Sequence, residues 1–185
     1  MRFFSLLPFA ILWAQPSIAD LVSREFPHLI IPLKQDYPTT PFGTQYSGEI
    51  TVVNGAHQVW TEISFDVPSN SARSCHLAVT IATGSQGAPW TLTGNNPSFN
   101  IFEISTAMDQ FRDAWNQNTR PAVHGWVATF DVHYDGTVTM TGGDVVCNKG
   151  GLAQYLIEPN GGQNVGFTWF EEADPVHGIT YEMYD

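Results

Sequence analysis

The chain has 185 residues, with 7 Lys and Arg against 18 Asp and Glu, and a formal charge of −11 with its six histidines neutral. A surface of that sign repels phosphate and anionic lipid, which excludes nucleic-acid binding and electrostatic membrane attachment as leading functions. The length supports one domain with a sizeable core and is short for two.

Residues 1–19 read as an export signal. Arg2 supplies the basic end, Phe3 to Ala14 is apolar, and Ser17-Ile18-Ala19 offers small residues for cleavage. Pro8 and Pro16 break the run, and it is short for a membrane span. The expected mature chain is a single domain, 20–185. Its formal charge becomes −12, because the removed segment carries Arg2 and no acid. No lipid-anchor tail is expected at Tyr181 to Asp185, and Pro97 blocks glycosylation at Asn96.

Period-two alternation dominates the expected mature chain. Val59, Thr61, Ile63, Phe65 and Val67 fall on one face, and Gln58, Trp60, Glu62, Ser64 and Asp66 on the other. Asn54-Gly55 suits a two-residue hairpin turn, which would set Ile50 opposite Val59. Cys75, Leu77, Val79 and Ile81 share a further face. Cys75 and Cys147 are the only cysteines, and in an exported chain they read as a disulfide, with two buried free thiols as the alternative. Closing a loop of that size stabilises by roughly 4 kcal/mol on the chain-entropy account.

Ile104, Met108, Phe111 and Trp115 recur at helical spacing, so one short helix is expected near 104–116. Trp126 to Tyr134 alternates again before Asp135-Gly136. A two-residue loop there would put threonines on the buried face. A bulged loop with Gly136 left-handed instead pairs Val132 with Val138 and Phe130 with Met140, and that register is predicted. Tyr155 to Ile157 and Val165 to Trp169 flank a Gly161-Gly162 turn, and Ile179 to Met183 makes a last strand. The pattern predicts an all-β, antiparallel two-sheet sandwich, jelly-roll-like, with at most that one helix.

Local catalytic signatures are missing. No two histidines fall within zinc-motif spacing, Gly84-Ser85-Gln86-Gly87 lacks the nucleophile-elbow pattern, and no phosphate loop occurs. No metal or other cofactor is expected. Paired carboxylates are the surviving enzymatic option, with Glu62 set against Glu103, Glu171 or Glu172. Glu171 and Glu172 would point to opposite faces of a strand. The weak ligand-binding candidates are Trp60 and Glu62 on one strand face and Trp90 in a loop, since a planar ring on a sheet can stack on a sugar. Packing of either ring beneath a loop or the neighbouring helix is the competing expectation, as is a solvated role for each acid.

Phe26-Pro27-His28-Leu29-Ile30-Ile31-Pro32 and then Gly43-Thr44-Gln45-Tyr46-Ser47-Gly48 resemble the opening of the fungal ubiquitin-3-binding protein But-two C-terminal domain family. The likeness resumes at Ile63 to Pro68 and Ser74 to Leu77, and more loosely at Cys147 to Gly151, Tyr155 to Ile157 and Trp169-Phe170. Residues 85–120 depart from it. So does Asp174-Pro175, where similar proteins often carry a cysteine beside proline. The resemblance implies a β-rich domain, mostly secreted, with no catalytic residues to carry over. In the residues themselves, Pro27, Pro32, Pro38 and Pro41 favour an extended edge strand, and His28 reads as a packed or hydrogen-bonded histidine.

The expected function is that of a secreted, non-enzymatic fungal β-sandwich domain acting at or near the cell surface or wall. Its partner would be a glycan or an extracellular protein, with no nucleic acid and no membrane anchor. The alternatives are a small secreted carboxylate-dependent, glycosidase-like hydrolase and, from the family name, a partner of a ubiquitin-like activating enzyme. Export argues against the last.

Overall fold

A computed structural model describes residues 19–85, 87–95 and 97–185. The expected export signal, Ala19 excepted, lies outside the described residues, as do Gln86 and Asn96. Fourteen strands are described: β1 (Leu21–Glu25), β2 (Leu29–Lys34), β3 (Ser47–Val53), β4 (Ala56–Asp66), β5 (Ser74–Thr80), β6 (Trp90–Gly94) and β7 (Ser98–Ile104). They continue as β8 (Val123–Val132), β9 (Val138–Gly142), β10 (Asp144–Val145), β11 (Leu152–Pro159), β12 (Val165–Phe170), β13 (Glu172–Ala173) and β14 (Val176–Tyr184). The fold is an all-β, sandwich-like pair of antiparallel sheets, as the alternation predicts.

The smaller sheet runs β1-β14-β5-β10, with β13 beside β14. The larger runs β6-β12-β3-β4-β11-β7-β8-β9, with β2 added against β4. Thr61 of β4 faces both Pro32 and Ile157, so β2 and β11 take its opposite edges. Pro32 lies in β2, whose one strand partner among the described residues is β4, as expected of a proline-bearing edge strand. The strands on either side of Gly161-Gly162 are present but do not pair. β11 joins β4 and β7, whereas β12 joins β3 and β6.

Between the sheets, Ile63, Phe65, Phe99, Ile101, Phe130, Phe167 and Trp169 of the larger meet Cys75, Leu77, Ile179, Tyr181 and Met183 of the smaller. Phe99, Phe130 and Phe167 form a ring cluster with centroids 5.3–6.2 Å apart, and Trp169 stacks on Phe167 at 5.0 Å. Cys75 and Cys147 are bonded, and β10, just before Cys147, pairs with β5.

The Gly136 expectation holds: φ is +85°, with Val132 opposite Val138 and Phe130 opposite Met140. Pairing these buried residues with apolar partners decides the register. At the other hairpin the turn is right and the register is not. Asn54 and Gly55 have φ of 56° and 68°, and Val53 faces Ala56. His57 is also left-handed, at 49°, and adds a bulge, so Val59 faces Thr51 and not Ile50. Its ring nitrogen Nδ1 lies 2.8 Å from Asp36 Oδ1, which fastens the bulged residue to the chain after β2.

The described residues contain no helix, and residues 105–122 instead form a strap of turns. Ile104, Met108 and Trp115 do meet in one apolar cluster, but Phe111 points to solvent at 82 % exposure. Turn bonds such as Arg112 N–H to Asp109 O (3.0 Å) and Thr119 N–H to Asn116 O (2.9 Å) replace a continuous helical ladder.

Gly48 is fixed by the core. A Cβ there would lie 2.1 Å from the Trp169 ring opposite it. Gly48→Ala should therefore lower stability by about 1–3 kcal/mol through overpacking. Urea unfolding measures this, and an unchanged midpoint would contradict the packing described.

Candidate functional site

Trp60 and Glu62 lie on the outer face of β4, the face turned away from the inter-sheet core. That face is not solvated. Ile31, Leu33, Ile104 and Leu156 form a second apolar cluster over it, with Trp60, Met108 and Trp115 packed against them. The strap closes over this cluster. Met108 N–H donates to Gln154 Oε1 (3.1 Å), and Asn116 N–H to Pro38 O (2.9 Å). Arg112 ties the strap to itself through Ala107 O (2.8 Å), Thr119 O (3.2 Å) and Asp113 Oδ1 (3.3 Å). Trp60 sits under Trp115 with centroids 4.5 Å apart, and the Arg120 guanidinium lies 5.0 Å over its ring.

Glu62 is sealed beneath this layer at 0 % exposure, and neither carboxyl oxygen accepts a hydrogen bond from a described group. Burial, reinforced by the neighbouring Asp113 carboxylate, pushes its pKa up to about 8, although Arg120 and Arg112 oppose the shift. Below that pH the neutral Glu62 carboxyl can donate its proton to Asp113, itself fully buried and shifted upward by burial. Asp113 is the partner that sequence reasoning missed. Its one visible signal was a place within the apolar spacing of 104–116, which put it next to the covering face. The pair is closed to solvent and suits holding the strap better than attacking a substrate.

The other candidate residues scatter. Trp90, expected in a loop, instead opens β6, where it is half-buried opposite Trp169 and packs on the main core. Glu171 falls in the break between β12 and β13, which lets both Glu171 and Glu172 border one cleft in place of the opposite faces expected of a strand. That cleft, of about 530 Å³, is also lined by Phe26, Pro27, His28 and Thr44 to Tyr46. Glu171 Oε1 accepts from the Trp169 indole (2.6 Å) and Ile179 N–H (3.0 Å), and burial raises its pKa to about 7. The carboxyl lies against Gly178, where a Cβ would sit 2.1 Å from Oε2. It braces β12 against β14. His28, expected to be packed or hydrogen-bonded, is instead exposed at the cleft rim, with Nδ1 3.3 Å from Asp66 Oδ2.

Glu103 stands elsewhere, in a groove of about 380 Å³ where the two sheets part. Its walls are Trp126 and Val127 of β8, Gly142 to Val146, and Tyr155 of β11. The Trp126 indole is half exposed and extends over Gly142, where a Cβ would meet the ring at 2.8 Å. Its Nε1–H is taken by Thr129 Oγ1 (3.0 Å), which fixes the ring's tilt. Tyr155 is only 2 % exposed as a residue, yet it lines the groove, and its hydroxyl makes no hydrogen bond among the described residues. Asp144 completes the wall, with His76 as its ion-pair partner. Among the described residues no group of three or more His, Cys, Asp and Glu is placed to hold a metal ion.

Residues 25–175 match the family described as the ubiquitin 3 binding protein But2 C-terminal domain. The chain belongs to that family. The match takes in 85–120, the stretch that read as foreign, so the strap lies within the But2 domain. Comparison with curated proteins finds no match.

The buried carboxyl makes stability fall with pH. From about pH 4.5 to about 8 the folded But2 domain keeps a proton on Glu62 that the unfolded chain has released. The stabilisation is complete below the unfolded value and lost as pH rises through the folded one. Glu171 acts in the same sense up to about 7. Glu62→Gln, neutral at every pH, should remove on the order of 3–5 kcal/mol of the loss between about pH 5 and about pH 8.5. Urea unfolding at the two pH values measures it. Wild-type protein equally stable at both would refute the buried proton.

Proposed function

We propose that this But2 domain is exported and acts without catalysis, by holding a glycan in the groove beside Trp126. The observation that carries the reading is the half-exposed indole at the edge of a groove whose lining includes a tyrosine with an uncommitted hydroxyl. Sugars present apolar C–H faces that stack on flat rings and hydroxyls that bond carboxylates and phenols. Trp126, Tyr155, Glu103 and Asp144 supply both kinds of contact. Export is supported by the Arg2-to-Ala19 signal pattern and by the Cys75–Cys147 bond, which suits an oxidising compartment.

Hydrolysis has less support. The carboxyls whose proton affinity is raised, Glu62, Asp113, Glu158 and Glu171, all lie outside this groove.

Retention on insoluble β-glucan, chitin and deacetylated chitin tests the reading. Wild-type protein should be depleted from solution by at least one of the three. Trp126→Ala should lose about fivefold to a hundredfold of that affinity, since a stacked aromatic supplies roughly 1–3 kcal/mol. No retention on any of the polymers would overturn the proposal.

A further inference from the structure

We propose that the glycan taken by the Trp126 groove is a cationic one, a polymer of amino sugars carrying protonated amines. This rests on the glycan reading and adds its chemical class. Three observations carry it.

First, the groove has carboxylates and no cation. Glu103 is exposed and forms no ion pair among the described residues, and Asp144 engages only His76. A neutral sugar needs hydrogen-bonding groups of either kind, whereas an unpaired carboxylate at Glu103, beside an Asp144 that only a histidine engages, favours a positive charge. Second, the Trp126 face attracts an ammonium as well as a sugar C–H face, because the indole ring is electron-rich at its centre. Third, the Tyr155 hydroxyl is an uncommitted polar atom on an otherwise buried residue, and its oxygen can accept from an ammonium N–H. Indole, the Glu103 carboxylate and phenol oxygen thus border one groove, and all three accept a protonated amine.

The groove also leads onward. Glu103 borders a shallow depression of about 610 Å³ with His124, Asn148 and Lys149 along it. A chain leaving the groove past Glu103 therefore has a surface to follow. Lys149 lines that depression but not the Trp126 groove, and it forms no ion pair with Glu103 or Asp144 among the described residues. The whole chain carries −11, which steers a polycation towards it.

Titration calorimetry of the disulfide-bonded protein with three soluble hexamers tests the inference: glucosamine, N-acetylglucosamine and β-1,3-linked glucose, at about pH 5.5, where ordinary carboxylates are ionised. The glucosamine hexamer should bind about tenfold more tightly than the other two, with the advantage shrinking as salt is raised. Glu103→Gln and Asp144→Asn, both at exposed positions, should each narrow that ratio towards one, with thermal unfolding checking that the fold persists. Equal binding of glucosamine and N-acetylglucosamine hexamers, or a ratio untouched by both substitutions, would overturn the cationic class while leaving the glycan reading intact. Binding of none of the hexamers, together with no retention on the insoluble polymers, would remove both.

Discussion

The larger sheet is buried on both faces where β4 crosses it, and much of the molecule depends on that constraint. A strand with one wet face can carry glutamate there at no cost. β4 cannot, because the strap from 105 to 122 lies over Trp60, Glu62 and Ser64. Glu62 is consequently stored as the neutral acid, Asp113 is drawn in as its partner, and Arg112 and Arg120 bracket the pair. Trp60, which alternation alone would present to a ligand, becomes a cover for the carboxyl. Burial of both faces thus removes the first-choice binding surface and leaves ligand access to the places where the sheets separate.

Much of the fold was legible because its signals are local or depend on parity. The Gly136 bulge came from matching buried faces across a hairpin, and the sulfur bridge from having two cysteines in a chain with an export pattern. The Ile50–Val59 pairing failed for a reason invisible to parity. His57 adopts a left-handed conformation that inserts one residue, and its anchor, Asp36, lies 21 residues away. The helical spacing of Ile104, Met108, Phe111 and Trp115 correctly grouped three residues that share a cluster. It could not tell a helix from a strap whose turns happen to return at the same intervals.

The candidate site was less legible. Glu103 and Trp126 were visible as individual residues, Glu103 as an acid and Trp126 as a strand aromatic, but nothing linked them. Their meeting depends on β7 pairing with β8 and β11 together, and on the Gly142–Val146 segment crossing to the smaller sheet. Such contacts are set by sheet order, which one sequence does not encode locally. Glu171 shows the same limit. Its adjacency to Glu172 implied opposite faces until a strand break put both beside the cleft lined by the family's opening segment.

The end of β7 has a further consequence. Glu103 and Ile104 are neighbours that face opposite ways, the first into the groove and the second into the cluster beneath the strap. A slip of one residue in β7 would exchange them, putting a charge among Leu33, Leu156 and Trp115 and an isoleucine at the mouth of the groove. The apolar packing on one side of the sheet therefore acts as an index pin for the polar surface on the other.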